Sequence, residues 1–128
     1  MSLGTRRVLV VDDDADIREA LQIVLELEGY EVRTAANGRD AFAVLRGPAP
    51  FRADLIVLDL MMPVMTGYAF RAEQLRDPVL AGTPVLLLTG YGDAAKHGAK
   101  LQAEAMSKPV DLVTLQTAVR RLTARSSA

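Results

Sequence analysis

Three short stretches of this chain are wholly apolar: Val8–Val11, Leu55–Leu58 and Val85–Leu88. Runs of this length, bounded by charged or turn-forming residues, are the pattern of strands covered on both faces, as in a parallel sheet. Segments of helical period lie between them. Ile17, Ala20, Leu21, Val24 and Leu25 predict an amphipathic helix from Ala15 to Glu28, with Asp14 capping its first turn and Gly29 just past its end. Glu31–Ala35 alternates weakly and reads as a strand, Asn37-Gly38 as a turn and Arg39–Leu45 as a short helix. Further helices are expected over Tyr68–Arg76, Asp93–Ala103 and Asp111–Ala124, with a last short strand at Ala105–Ser107. In the final helix Leu112, Leu115, Val119 and Leu122 form one stripe. Five strands alternating with five helices imply an α/β fold, a doubly wound parallel sheet.

What stands at the strand ends narrows the chemistry. Strand one stops at Asp12-Asp13-Asp14, strand three at Asp59, strand four at Thr89 and strand five at Lys108. Taken alone, each has an ordinary reading: a helix start, a turn residue, a surface charge before a proline. Together they occupy one rim of a parallel sheet, where open α/β folds bind ligands. Clustered carboxylates repel one another unless a cation neutralises them. An all-oxygen donor set points to a hard cation, Mg2+ first among them, which pairs naturally with phosphate. A lysine ammonium and a threonine hydroxyl add donors for phosphoryl oxygens. Such a site can offset the charge of a phosphoryl group in transfer, leaving Asp59, alone on its strand, as the nucleophile that forms an acyl phosphate.

Composition removes several alternatives. The 128 residues carry 15 Lys plus Arg against 16 Asp plus Glu, a formal charge of −1, so nothing draws the chain to nucleic acid or anionic membrane. There is no cysteine, which excludes disulfides and thiol chemistry, and a single histidine, His97, expected as a solvated side chain. No apolar stretch is long enough to span a bilayer, and the reading is a cytoplasmic protein. Residues 1–128 are expected to form one domain with a core from about 6 to 124. No Gly-rich phosphate loop follows strand one, which argues against nucleotide binding.

Four motifs in order, Val-Leu-Val-Val-Asp-Asp-Asp at 8–14, Leu-Asp-Leu-Met-Met-Pro at 58–63, Leu-Leu-Thr-Gly at 87–90 and Ser-Lys-Pro at 107–109, make the chain resemble the receiver (REC) domains of two-component response regulators. The resemblance implies a flavodoxin-like sheet of order 2-1-3-4-5. It implies that Asp59 is the phosphoacceptor for a histidine kinase or histidine phosphotransfer protein. It further implies that Asp12, Asp13, Asp59 and the Met61 backbone carbonyl hold Mg2+, and that Thr89 and Lys108 contact the phosphoryl group. Such a module catalyses only its own phosphorylation and dephosphorylation, and signals by changed partner binding. The downstream effector and any homodimer stay open. Met61 and Tyr91 stand where the family borders the phosphoryl group, and bulky side chains there would exclude attacking water.

The chain also departs from that pattern. Receivers usually carry an aromatic residue three positions before the lysine, and here that position is Ala105. The segment from Thr89 to Lys108 is about one helical turn shorter than is common, so a short or displaced fourth helix is expected. These features favour an absent or replaced aromatic switch, and make a phosphorylation-independent interaction module the alternative. A Mg2+-dependent phosphohydrolase fits less well, because Met61 occupies the place of the second acid that such enzymes use.

Overall fold

The structure is a computed structural model, described over residues 5–90 and 94–126, without the side chains of the last two of these. Its elements are β1 (Arg7–Val11), α1 (Ala15–Leu27), β2 (Glu31–Ala35), α2 (Gly38–Arg46), β3 (Leu55–Asp59), α3 (Gly67–Arg76), β4 (Val85–Thr89), α4 (Ala94–Leu101), β5 (Glu104–Ser107) and α5 (Leu112–Ser126). All strand pairs are parallel, in the order β2-β1-β3-β4-β5. This is the five-stranded, doubly wound parallel sheet that the alternation implied, in the flavodoxin-like order that the resemblance implied.

Strand periodicity divides the core into two layers. Leu9, Val11, Ile56, Leu58, Val85 and Leu87 face one side and pack with Ala41, Phe42 and Leu45 of α2 and Phe70 of α3. Val8, Val10, Leu55, Val57, Leu86 and Leu88 face the other, against Leu21 and Leu25 of α1 and Leu115, Val119 and Leu122 of α5. The three central strands are covered on both faces, which is why their sequence is continuously apolar. At the sheet edge β5 is only half-buried throughout, and its sequence, Glu-Ala-Met-Ser, carries a correspondingly weak strand signal.

Helix ends follow local chemistry. The Asp14 carboxylate accepts from the Asp16 and Ile17 amides and caps α1. Asn37, expected in a turn, caps α2 by accepting from the Asp40 amide, and Thr66 caps α3 through the Ala69 amide. α4 is eight residues long and stops at Gln102, whose φ of 54° is left-handed. It is short, as expected, and ends before Ala103. The stripe on α5 needs one correction. Leu115, Val119 and Leu122 are buried, but Leu112 is 44% exposed, because the first residue of α5 sits at the rim.

Two arginines, Arg6 and Arg71, make long-range bonds to backbone carbonyls among the described residues. Arg71 of α3, almost wholly buried, donates to the Leu101 and Gln102 carbonyls at the end of α4 and to the Gln74 side chain. Burial holds its pKa below the ordinary arginine value. At the opposite rim from Asp59, Arg6 beside the start of β1 donates to the Thr123 carbonyl of α5 at 2.6 Å.

Candidate functional site

Because the strands are parallel, their carboxyl ends share one rim, and β1, β3 and β5 bring their acidic and basic residues together there. Asp12 is fully buried and Asp59 nearly so, while Asp13 is exposed. One carboxylate oxygen from each lies within 4.8 Å of the others. The Lys108 ammonium reaches in from the end of β5, 3.2 Å from Asp12 Oδ2 and 3.4 Å from Asp59 Oδ1. The Lys108 amide also donates to the Thr89 carbonyl, which continues the sheet to this point.

The backbone around the acids is pinned. Asp12 Oδ1 accepts from the Asp14 amide at 2.9 Å, and the Asp12 carbonyl accepts from Arg18 Nη1 at 2.7 Å. Sequence reasoning missed Arg18, although its place one turn into α1 puts it within reach of the strand end. Asp59 Oδ1 accepts from the Met61 amide at 3.3 Å. Gly67 donates to the Leu60 carbonyl and closes the loop between β3 and α3. A Cβ on Gly67 would lie 2.7 Å from the Leu60 Cα and 3.0 Å from the Asp59 carbonyl oxygen, so only glycine permits this approach.

The electrostatics are unbalanced. Burial, then the neighbouring Asp12 charge, raise the Asp59 pKa to about 6 against the opposing pull of Lys108 and the Met61 amide. Burial works against the Lys108 ammonium, yet Asp12 and Asp59 outweigh it and hold its pKa above the ordinary lysine value. Asp12 Oδ2 is buried and, apart from its ion pair with Lys108, has no hydrogen-bond donor. Three carboxylates against one ammonium leave two negative charges in excess when all are ionised. That excess, a buried oxygen held by its ion pair alone and the all-oxygen donors suit a divalent cation, which this cluster could coordinate.

The other expected site residues are placed as follows. Thr89 is buried at the same rim, but its hydroxyl donates to the Gly90 carbonyl rather than toward the acids. The Met61 side chain is 69% exposed. Tyr91 lies outside the described residues. Ala105 is half-buried in β5, paired with Leu87 of β4. The expectation of a solvated His97 is corrected: it is half-buried, and its Nδ1 is hydrogen-bonded to the Tyr68 hydroxyl.

The loop that follows Asp59 is strained at one residue. Val64 has φ 71°, and around it the Met65 amide donates to the Pro63 carbonyl at 2.7 Å, a γ-turn centred on a β-branched residue. Strain of this kind is worth about 1–3 kcal/mol, and glycine's extra unfolded-state freedom costs roughly 0.5–1 kcal/mol. Val64→Gly is therefore expected to raise stability by about 1 kcal/mol in urea denaturation. An unchanged or lower midpoint would mean that the loop carries no strain.

Comparison with known proteins agrees with this geometry. The response regulator receiver domain profile matches residues 8–120. A probable transcriptional regulator, ycf27, of Cyanophora paradoxa is 35% identical over 129 residues, covering 98% of this chain and 52% of the relative. The phosphate regulon transcriptional regulatory protein PhoB of Pseudomonas aeruginosa is 34% identical, covering 96% and 51%. The chain thus spans about half the length of these curated relatives. Among solved structures, the chemotaxis protein CheY4 of Vibrio cholerae superposes with TM-score 0.80 at 33% identity, covering 93% of this chain and 99% of that one. The signal receiver domain of a signal transduction histidine kinase from Syntrophus aciditrophicus gives 0.82 at 33%, covering 94% and 91%. With its 2-1-3-4-5 parallel sheet and the acid cluster and lysine gathered at one rim, the chain belongs to the response regulator receiver domain family.

Proposed function

We propose that Asp59 accepts a phosphoryl group from the phosphohistidine of a histidine kinase or histidine phosphotransfer protein, and that its phosphorylation changes how the domain binds a partner. The observation that carries this reading is the convergence of buried Asp59 with Asp12, Asp13 and Lys108 at one strand-end rim. In the reaction an Asp59 carboxylate oxygen attacks phosphorus. The P–O bond of an acyl phosphate forms as the P–N bond to the donor imidazole breaks, and the imidazole takes up a proton on leaving. A carboxylate with pKa about 6 is mostly ionised at neutral pH, and it is a stronger base than an ordinary aspartate.

Lys108 is poised to receive phosphoryl oxygens as they arrive, exchanging part of its pairing with Asp12 and Asp59 for them. Thr89 Oγ1 gives up its bond to the Gly90 carbonyl and turns to the same oxygens. Asp12, Asp13, Asp59 and the Met61 carbonyl are the groups assigned to hold Mg2+, which when bound supplies charge neutralisation at the phosphoryl group. An apolar groove of about 230 Å3, lined by Ile17, Ala20, Leu21, Pro109, Val110 and Leu112 beside Lys108, the residue paired with Asp59, offers a donor protein a seat. Among the described residues no helix is long and apolar enough to cross a membrane, and this reading puts the reaction in the cytoplasm, where ATP-fed kinases act.

Intact-mass spectrometry after incubation with Mg2+ and a small acyl phosphate tests the reading. Wild type is expected to gain one phosphoryl mass and Asp59→Asn none. Absence of an adduct on wild type, with phosphohistidine donors failing too, would sink it in favour of a phosphorylation-independent interaction module. One observation leans that way. Residue 105, beside Gly98 of α4, is an alanine where receivers usually carry an aromatic side chain.

A further inference from the structure

The described polar attachments of α4 run to α3. The Tyr68 hydroxyl is hydrogen-bonded to His97 Nδ1, with the two rings edge to face at 5.6 Å. The Lys100 ammonium lies over the Tyr68 ring, 5.3 Å from its centre. One turn further along α3, Arg71 binds the Leu101 and Gln102 carbonyls. Against the sheet, α4 packs Leu101 at its end onto the core, and midway it makes a contact of small groups. A Cβ on buried Gly98 would lie 2.8 Å from the Ala103 carbonyl oxygen and 3.4 Å from the Ala105 Cβ. Nothing large separates helix from strand there, so the helix rests on β5 and is held laterally by α3.

The first turn of α3 is in turn braced on the candidate phosphoacceptor. Gly67 abuts the backbone of Asp59 and Leu60, and Tyr68 is the next residue. A displacement of the Asp59–Leu60 backbone therefore meets α3 at its first turn, and Tyr68 carries the movement to α4. Close-packed contacts of this kind transmit small shifts because they do not deform continuously.

We propose that the Tyr68–His97 pair is the tether through which the state of Asp59 reaches α4, by way of α3. The proposal rests on the phosphoacceptor reading for its second half only. The first half, that the pair holds α4 in place, concerns the free protein. Tyr68 and His97 are positioning residues on this view and touch neither phosphate nor metal.

The experiment compares wild type, Tyr68→Phe, His97→Ala and the double variant. Arg71 and the apolar packing remain in all four, so the fold is kept. In the free protein, amide hydrogen exchange in α4 should quicken about fivefold in each single variant, as expected for loss of one neutral hydrogen bond, with α1 and α5 unchanged. The double variant should match the singles. Unaltered exchange, or effects that simply add, would overturn the tether. Beryllofluoride with Mg2+, standing in for the phosphoryl group, is then added while amide shifts are followed. Wild type should respond in the Asp59 loop, α3 and α4. Tyr68→Phe should keep the loop response and lose half or more of that in α4. An α4 response equal to that of wild type would show the signal travelling along the chain from Thr89 to Ala94, and would overturn the coupling. If wild type fails to bind beryllofluoride, the phosphoacceptor reading falls and takes the coupling with it, while exchange still decides the tether.

Discussion

Asp59→Asn is expected to melt about 5 °C higher than wild type at pH 7.5 in a chelating buffer, a gain of about 1–2 kcal/mol. The cause is the cost of keeping a carboxylate ionised in a buried place beside Asp12. Its pKa, raised to about 6, lies above the unfolded value. Between about pH 4 and pH 6 the folded chain therefore holds a proton that the unfolded chain has released, and stability falls as pH rises through this window. The full shift would correspond to about 3 kcal/mol, and the Lys108 ion pair and local relaxation lower what is realised. The amide has no such dependence. Melting curves of the two proteins from pH 4 to 8 check this. The gap should open as pH rises to about 7 and then stay level. A gap of constant size would show that ionisation is not its origin, and added Mg2+ should narrow it by stabilising wild type more than the variant, which keeps only Asp12 and Asp13 of the acid cluster.

Gly67→Ala is expected to do the opposite and more strongly, with a loss of about 2–4 kcal/mol. The added methyl would stand 2.7 Å from the Leu60 Cα, and the two nearest atoms it meets are backbone, which cannot swing aside as a long side chain can. At Gly38 the same change meets mainly the flexible Met65 side chain and should cost less. For Gly67 the strain must be relieved by moving the first turn of α3 away from β3 or by opening the loop after Asp59. Urea denaturation measures the loss, and on the proposed phosphoacceptor reading the rate of Asp59 phosphorylation should fall with it. A stability within about 0.5 kcal/mol of wild type would mean that the loop yields easily and does not brace α3.

Much of this was legible in the residues. Val8–Val11, Leu55–Leu58 and Val85–Leu88 announced central strands because burial on both faces demands uniform apolarity. The acid pair, Asp59 and Lys108 were found because parallel strands put all carboxyl ends at one rim, so strand-end position is itself a spatial coordinate. β5 was located mostly by the lysine after it, since an edge strand of half-buried residues has little pattern of its own. The Tyr68–His97 pair and the Arg71 clamp were not legible. Each joins groups about thirty residues apart, and depends on how closely α4 settles on β5, which Gly98 and Ala105 decide together. A lone histidine beside a glycine carries no sign of its partner. Val64 was hidden for another reason: a valine gives no hint of positive φ, which the closure around Pro63 and Gly67 imposes on it.

The bond from Arg6 to the Thr123 carbonyl has a consequence for how such a unit can be carried within a longer polypeptide. It sets the first strand's entrance beside the last helix's exit, at the face away from Asp59. Host sequence on either side would enter and leave through one doorway at the back of the sheet. The acidic rim would then stay open to a docking protein whatever the host.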